Sequence, residues 1–159
     1  MASDAPSVRA EVNAVAQEPG REIVDARSGP EVLALAADLS PDLVIVDMQM
    51  GNMGGMAVCL ELRLEESYGH LPHIPLLMLV DRRPDVFLAR RSGAEGWLVK
   101  PLDPLRIRRG VAALLAGTTY HDDSYLPLPL PGDATQPGSG SGSTAGAPLL
   151  SRQAGAGSR

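Results

Sequence analysis

The stretch PDLVIVDMQM, residues 41–50, decides the fold class because it places a short apolar run directly before a carboxylate. Residues 43–46 are apolar and largely β-branched, and Asp47 follows them with no polar spacer. Such a run is typical of a strand buried on both faces of a parallel sheet. In open α/β sheets the chemistry lies at the carboxyl ends of the strands. The pattern therefore predicts that Asp47 lies at a functional edge.

Further strands and helices alternate along the first three quarters of the chain. Apolar runs predict strands at residues 74–80 and 96–99, and REIVDA predicts a shorter strand at residues 21–26. Helical periodicity or capping residues predict helices between these strands, beginning near Pro6, Ser28, Met56, Pro84 and Asp103. Alternation of this kind predicts an α/β fold with a doubly wound parallel sheet that helices cover on both faces.

The composition argues against several classes of protein. No apolar run reaches the ~18 residues that a membrane span needs, and the N-terminus lacks the pattern of a signal peptide. A lone cysteine, Cys59, allows no internal disulfide. The net charge of −5 argues against nonspecific nucleic-acid binding. We expect a cytoplasmic protein with no DNA or membrane partner.

The chain changes character after residue 118. Residues 125–133 alternate proline with apolar residues, and residues 137–148 are rich in Gly and Ser. Segments of this composition bury too little surface to offset their ordering entropy. We therefore predict one domain over residues 1–118 and a disordered tail over residues 119–159, with no attached output domain.

Lys100 ends the predicted strand at residues 96–99 and is the single lysine among 14 basic residues. The carboxyl ends of parallel strands meet at one edge, so Lys100 is expected to face Asp47. Two interpretations remain open from the residues alone. The pair is a structural salt bridge, or it is a nucleophile beside a cation that receives a phosphoryl group.

Four stretches together resemble the receiver domain of bacterial two-component response regulators. They are PDLVIVDMQM, the loop MGNMGG at residues 50–55, IPLLMLV at residues 74–80 and GAEGWLVKPL at residues 93–102. The resemblance covers residues 3–117. It implies a flavodoxin-like (βα)5 fold with strand order 2-1-3-4-5.

The resemblance also implies roles for individual residues. Asp47 takes the place of the phosphoacceptor, and Lys100 that of the lysine that contacts the phosphoryl group. The two switch positions hold Val80 and Trp97. Mg²⁺ is the implied cofactor, and its implied ligands are Asp4, Asp47 and the backbone carbonyl of Gln49.

Several of these positions depart from the family pattern. Ser3 replaces the first of two acidic residues, so we expect weak Mg²⁺ binding. Val80 lacks the hydroxyl that contacts the phosphoryl group, a bond worth about 1.5–3 kcal/mol, which is similar to a typical allosteric coupling. Trp97 is either a degenerate switch residue or a surface anchor between the last two helices. Asp81 adds negative charge that opposes an incoming phosphoryl group, or it is a substitute metal ligand.

The expected partners are a sensor histidine kinase or a phosphotransfer protein, and a downstream protein that binds through the last two helices. A homodimer is a further possibility. Two versions of the function stay open: phosphorylation at Asp47, or partner binding that is independent of phosphate. The rival from another class is a small α/β hydrolase or phosphatase with Asp47 as nucleophile. Gln49 argues against it, because an amide at this position cannot protonate a leaving group.

The start of the chain conflicts with the implied fold. Only Met1 and Ala2 precede Ser3, whereas the family places five or six apolar residues before the acidic pair. Three alternatives follow: a true start that lies further upstream, another segment or chain in the strand's place, or a strand formed by residues 7–13.

Overall fold

The computed structural model describes residues 1–124, and residues 125–159, which hold most of the predicted tail, lie outside the described part. The described residues form five α-helices, a short 3-10 helix at Arg83–Asp85 and four strands. The helices are α1 (Pro6–Ala16), α2 (Gly29–Leu39), α3 (Gly55–Ser67), α4 (Val86–Ser92) and α5 (Pro104–Leu115). The strands are β1 (Val44–Asp47), β2 (Leu76–Val80), β3 (Gly96–Val99) and β4 (Tyr120–His121). None of these helices has the length and apolar character needed to cross a membrane.

The four strands form one parallel sheet in the order β1-β2-β3-β4. Every residue of β1, β2 and β3 is buried, as the apolar runs predict. Two groups of buried side chains cover the two faces of the sheet. Val32, Val58 and Leu62 pack on one face, and Val12, Ile107 and Leu114 pack on the other. The predicted doubly wound parallel sheet is therefore confirmed.

The first three residues lie where the carboxyl end of the first strand is expected. Ala2 bridges Ala26 on one side and Val46 on the other. Its amide donates to the Ile45 carbonyl at 2.8 Å, and its carbonyl accepts from the Asp47 amide at 2.8 Å. The spatial order is thus residues 21–26, residues 1–3, then β1 to β4. This order reproduces the expected flavodoxin-like arrangement with one added edge strand.

Two expectations near the N-terminus are wrong. Residues 7–13 lie inside α1, so they do not pair as a strand. Residues 21–25 are not a regular strand, and within REIVDA only Ala26 makes a bridge. The reason is that residues 1–3 bond only Val24 and Ala26 of this segment, so residues 21–23 have no ladder partner among the described residues.

The predicted disorder is also wrong for the first residues of the tail. Tyr120 and His121 form β4 and pair with Gly96 and Trp97 of β3. Asp122 then lies buried, and its amide donates to the Trp97 carbonyl at 3.2 Å. The domain therefore extends past residue 118.

Candidate functional site at the carboxyl edge of the sheet

Asp47 ends β1 in a nearly closed position, with 1% of its surface exposed. Lys100 follows β3 and reaches across β2, and its Nζ lies 2.9 Å from Oδ1 and 3.0 Å from Oδ2 of Asp47. The expected convergence of these two residues, from strands 53 positions apart in sequence, is present in the structure. One ammonium therefore spans both oxygens of the buried carboxylate.

Two more donors hold the Asp47 carboxylate. Ser3 Oγ donates to Oδ2 at 2.9 Å, and the backbone N–H of Gln49 donates to Oδ1 at 3.2 Å. Ser3 is itself buried and is positioned by the short N-terminal pairing described above. The residue that the family pattern treats as a lost acid thus acts here as a hydroxyl donor to the acidic centre.

The loop that follows Asp47 turns closely around the strand end. Gly55 begins α3 directly against the Asp47 backbone, and a Cβ at this position would overlap the Asp47 carbonyl carbon at 2.9 Å. A glycine is therefore required for α3 to start this close to β1. Because α3 begins next to the end of β1, the loop between Asp47 and Gly55 stays at the carboxyl edge of the sheet.

Lys100 also contacts a second carboxylate, because its Nζ donates to Asp81 Oδ1 at 3.0 Å. Burial disfavours the charged lysine, but the hydrogen bonds that it donates to Asp47 and Asp81 outweigh this effect and raise the pKa of Lys100 above its ordinary value. The three side chains carry a net charge of −1. The site is therefore an ammonium held between two carboxylates rather than a simple pair.

The residues expected to hold a metal ion are only partly together. Asp4 is exposed and accepts a hydrogen bond from the Gly51 amide at 2.8 Å, while Gln49 is exposed beside Asp47. No group of three or more His, Cys, Asp or Glu side chains suited to a metal ion occurs within residues 1–124. Of the two expected acidic ligands, Asp47 bonds Lys100 and Asp4 bonds the Gly51 backbone N–H.

The two switch positions are both buried. Val80 ends β2, and its carbonyl accepts from the Lys100 amide at 2.8 Å. Trp97 is only 2% exposed, because the His121 ring stacks on it at a centroid distance of 3.9 Å. The guanidinium of Arg90 lies 5.2 Å from the same indole ring. The alternative that Trp97 is a surface anchor is therefore wrong, since β4 covers it.

Sequence reasoning missed a second acidic centre at Asp122. Its Oδ2 accepts from the Val99 amide at 2.9 Å and from Arg106 at 2.5 Å. The only available signal was the HDD triplet at residues 121–123, which reads as an ordinary solvated tail. This centre fixes β4 against β3.

Comparison with known proteins shows the family. The model of the response regulator receiver domain matches residues 1–112. The chain belongs to the response regulator receiver domain family. Protein PilH of Pseudomonas aeruginosa is 27% identical over 114 residues, which cover 72% of this chain and 93% of PilH. Response regulator PleD of Caulobacter vibrioides is 34% identical over 93 residues, which cover 58% of this chain and only 20% of PleD.

Solved receiver structures match the fold. Chemotaxis response regulator CheY4 of Vibrio cholerae has a TM-score of 0.62 and 30% identity, covering 71% of this chain and 93% of CheY4. The receiver domain of a signal transduction histidine kinase from Syntrophus aciditrophicus has a TM-score of 0.65 and 27% identity, covering 73% and 87%. Receiver domains are generally signalling modules that interact with histidine kinases or phosphotransfer proteins. The hydrolase alternative has no support among these relatives.

Proposed function

We propose that this receiver domain takes part in phosphorelay signalling by accepting a phosphoryl group on Asp47. One observation carries the proposal: the Lys100 ammonium spans both oxygens of a nearly buried Asp47 at the carboxyl edge of the sheet. A cation so placed is close to the charge that develops during phosphoryl transfer. Its partners would be a sensor histidine kinase or a phosphotransfer protein in the cytoplasm.

The residues of the site have separate tasks in this reaction. An Asp47 oxygen forms a bond to phosphorus as the bond from phosphorus to the donor group breaks, and the donor leaves with that electron pair. Lys100 exchanges part of its contact with Asp47 for a phosphoryl oxygen. The Ser3 hydroxyl and the backbone N–H of Gln49 hold the Asp47 carboxylate in one orientation. The side chain is thus positioned before the donor arrives.

Mg²⁺ is the proposed cofactor. Its preferred donors are oxygens, and one or two carboxylates with several waters are a common set. Asp4, Asp47 and the Gln49 carbonyl fit this chemistry as a sparse set, so we propose weak binding. When bound, the ion would neutralise charge on the phosphoryl group.

The proposal is tested with the full chain, Mg²⁺ and a small phosphodonor such as an acyl phosphate, followed by intact-mass measurement. We expect an adduct of about 80 Da, the mass of one phosphoryl group, on the wild-type chain. The matched control is Asp47→Asn, which keeps the shape of the side chain but removes the nucleophile. Absence of an adduct under every donor, or an adduct that persists in Asp47→Asn, would overturn the proposal.

A second candidate function is partner binding that does not depend on phosphate. Val80 has no hydroxyl to contact a phosphoryl oxygen, and β4 covers Trp97, so the expected link between phosphate and the distant surface is weakened. The surface of α4 and α5 remains available: Phe87 is 60% exposed and Leu105 is also exposed. The same two helices and the segment just before α4 carry exposed arginines, at positions 82, 83, 90, 91, 108 and 109. A downstream protein or a second copy of the chain would bind there.

The emission of the single tryptophan distinguishes the two candidates. We expect the phosphodonor to leave Trp97 fluorescence nearly unchanged in the wild type, and to change it in Val80→Thr, which restores the hydroxyl. An equal change in both proteins would show that phosphate reaches Trp97 without the hydroxyl, and would remove the case for a phosphate-independent function.

A further inference from the structure

A shallow groove lies between α2 and α3, on the face of the sheet opposite to α1 and α5. Its volume is about 230 Å³. Each helix supplies one wall, and the loop after α3 closes one end. The residues that line the groove are Leu33, Ala37, Glu61, Glu65, His70 and Leu71. None of them belongs to the acidic centre around Asp47 or to the surface of α4 and α5.

An exposed apolar ridge runs along α3 beside the groove. Leu60, Leu64 and Tyr68 are spaced four residues apart, so their side chains lie on one side of the helix. All three are exposed, and Tyr68 reaches 63%. The opposite side of α3 already buries Val58 and Leu62 against the sheet. The ridge is therefore a second apolar surface on this helix, and surface of this kind marks a site where another element packs.

The two acidic side chains of the groove have no strong cation beside them. Glu61 and Glu65 are four residues apart on α3, so their carboxylates repel each other. Glu65 bonds His70 Nδ1 at 2.9 Å, and within residues 1–124 Glu61 is in no ion pair. Arg63 lies on the same helix, but it binds Glu95 at 2.8 Å. The groove thus combines apolar walls with negative charge that no arginine or lysine of residues 1–124 neutralises.

The shape of the groove fits a helix. Both walls are helices, whose backbone groups bond within each helix, so the groove offers no free edge to a strand. Its volume is below the about 300 Å³ at which sites for drug-sized molecules begin. Ala34 and Ala37 of α2 are small and exposed, so a third helix can approach closely. The ridge from Leu60 to Tyr68 is about 12 Å long, which about three turns of a helix cover.

We infer that the groove between α2 and α3 binds a basic amphipathic helix of a partner protein. Apolar side chains of that helix pack on Leu33 and on the ridge of α3. An arginine or lysine from it reaches the carboxylates of Glu61 and Glu65. The cation removes the repulsion within α3, and its aliphatic stem packs on the apolar wall. This binding does not depend on phosphorylation of Asp47.

Two observations argue against a second copy of the chain as the occupant. The chain has a net charge of −5, so two copies repel each other at long range. The helix with exposed apolar and basic side chains that a second copy would offer is α4, which has only seven residues. Within α4, Arg90 is already placed against the indole ring of Trp97 at 5.2 Å.

The test uses the full chain and a synthetic helical peptide of about 14 residues, or about four turns. The peptide carries leucine at helical spacing, arginine at the flanking positions and a fluorescent label. Fluorescence anisotropy at low salt should give a Kd of about 100 µM or lower. Amide chemical shifts of the isotope-labelled chain locate the peptide, and we expect the changes at residues 33–37 and 60–71.

Matched variants separate the groove from a general effect of charge. Glu61→Gln with Glu65→Gln should weaken binding about fivefold or more, because both carboxylates lose their charge. Glu11→Gln with Glu22→Gln makes the same change in net charge at exposed positions outside the groove. This control pair should alter the Kd by less than about twofold. Thermal unfolding should show each variant within about 3 °C of the wild-type Tm.

Several results would overturn the inference. They are a Kd above about 1 mM, chemical-shift changes outside the groove, equal weakening by the control pair, and equal binding of a peptide with glutamate in place of arginine. Sedimentation that shows self-association of the chain, abolished by Glu61→Gln with Glu65→Gln, would also overturn it, because the groove would then hold a second copy.

Discussion

Two buried aspartates at the carboxyl edge of the sheet invite comparison, since Asp47 and Asp122 are 1% and 2% exposed. Each accepts hydrogen bonds from a backbone amide and from one cationic side chain. The cations differ. Lys100 is a compact charge that Asp47 shares with Asp81, whereas Arg106 bonds Asp122, the Val99 carbonyl and the Pro101 carbonyl with a planar group.

The difference separates the proposed phosphoacceptor, Asp47, from an acid that holds a strand in place, Asp122. A lysine shared between two carboxylates can move toward a phosphoryl oxygen without breaking every contact. An arginine bonded to two backbone carbonyls and a carboxylate holds its geometry. Burial alone therefore does not distinguish the two aspartates, but the identity and the sharing of the bound cation do.

The largest expected effect is on the structural centre. Asp122→Ala leaves Arg106 and the Val99 amide without their partner and releases β4. We expect a loss of about 3–5 kcal/mol in the free energy of unfolding, measured by urea denaturation. Asp123→Ala, at the exposed neighbouring position, should change stability by less than about 0.5 kcal/mol. Similar losses in both variants would show that Asp122 does not anchor the strand.

A smaller loss of stability is expected from a change at Lys100, the cation beside Asp47. Lys100→Met leaves two carboxylates close together, but Asp47 keeps its bonds from Ser3 Oγ and the Gln49 backbone N–H, so we expect a loss of about 2–3 kcal/mol. The double variant Lys100→Met with Asp47→Asn should recover part of this loss, because it removes the buried charge. A double variant whose loss equals the sum of the single losses would show that the two side chains are not coupled.

The loss of stability at acid pH tests the role of Asp122 more finely. Burial opposes the charged form of Asp122, but bonds from Ser124, Val99 and Arg106 lower its pKa below the ordinary 3.8. A lowered pKa gives stability that is present above the unfolded value and is lost as the pH falls through the folded value. Stability of the wild type should therefore fall more steeply below about pH 4 than that of Asp122→Asn. Parallel pH profiles in denaturant titrations would contradict this assignment.

The smallest expected effect on stability is that of Asp81→Asn. Asp81 is partly exposed, so the free energy of unfolding should change by less than about 1 kcal/mol. Removing its charge should nevertheless increase the amount of Asp47 adduct at a fixed time several-fold, since one repulsive carboxylate is lost. The control is Asp42→Asn, which removes an exposed charge away from the site. Asp85→Asn is unsuitable, because Asp85 forms a salt bridge with Arg82. Equal increases in Asp81→Asn and Asp42→Asn would point to a general charge effect.

The strands β1, β2 and β3 could be predicted because burial on both faces leaves a local mark, a continuous apolar run. The pairing of Asp47 with Lys100 followed from their positions directly after such runs. β4 could not be predicted in this way. It has two residues, and the buried side chain that fixes it, Asp122, lies next to the strand and binds groups from distant segments.

The same physical reason explains the error at Trp97 and the contact of Ser3 that was not predicted. An aromatic residue in an apolar run does not show what covers it, and the cover here is His121 from 24 residues later. The family pattern identifies Ser3 only as the replacement of an acidic metal ligand. It does not show that the Ser3 hydroxyl donates a hydrogen bond to Asp47. Contacts between distant segments decide both roles, and a linear pattern records neither.

The scarcity of lysine has a chemical consequence for the domain. Amine-directed acylation of side chains has a single target in this chain, Lys100. The two carboxylates raise its pKa, which lowers the fraction of neutral, nucleophilic amine below that of an ordinary lysine. We therefore expect Lys100 to react with acylating reagents more slowly in the folded domain than in the unfolded chain.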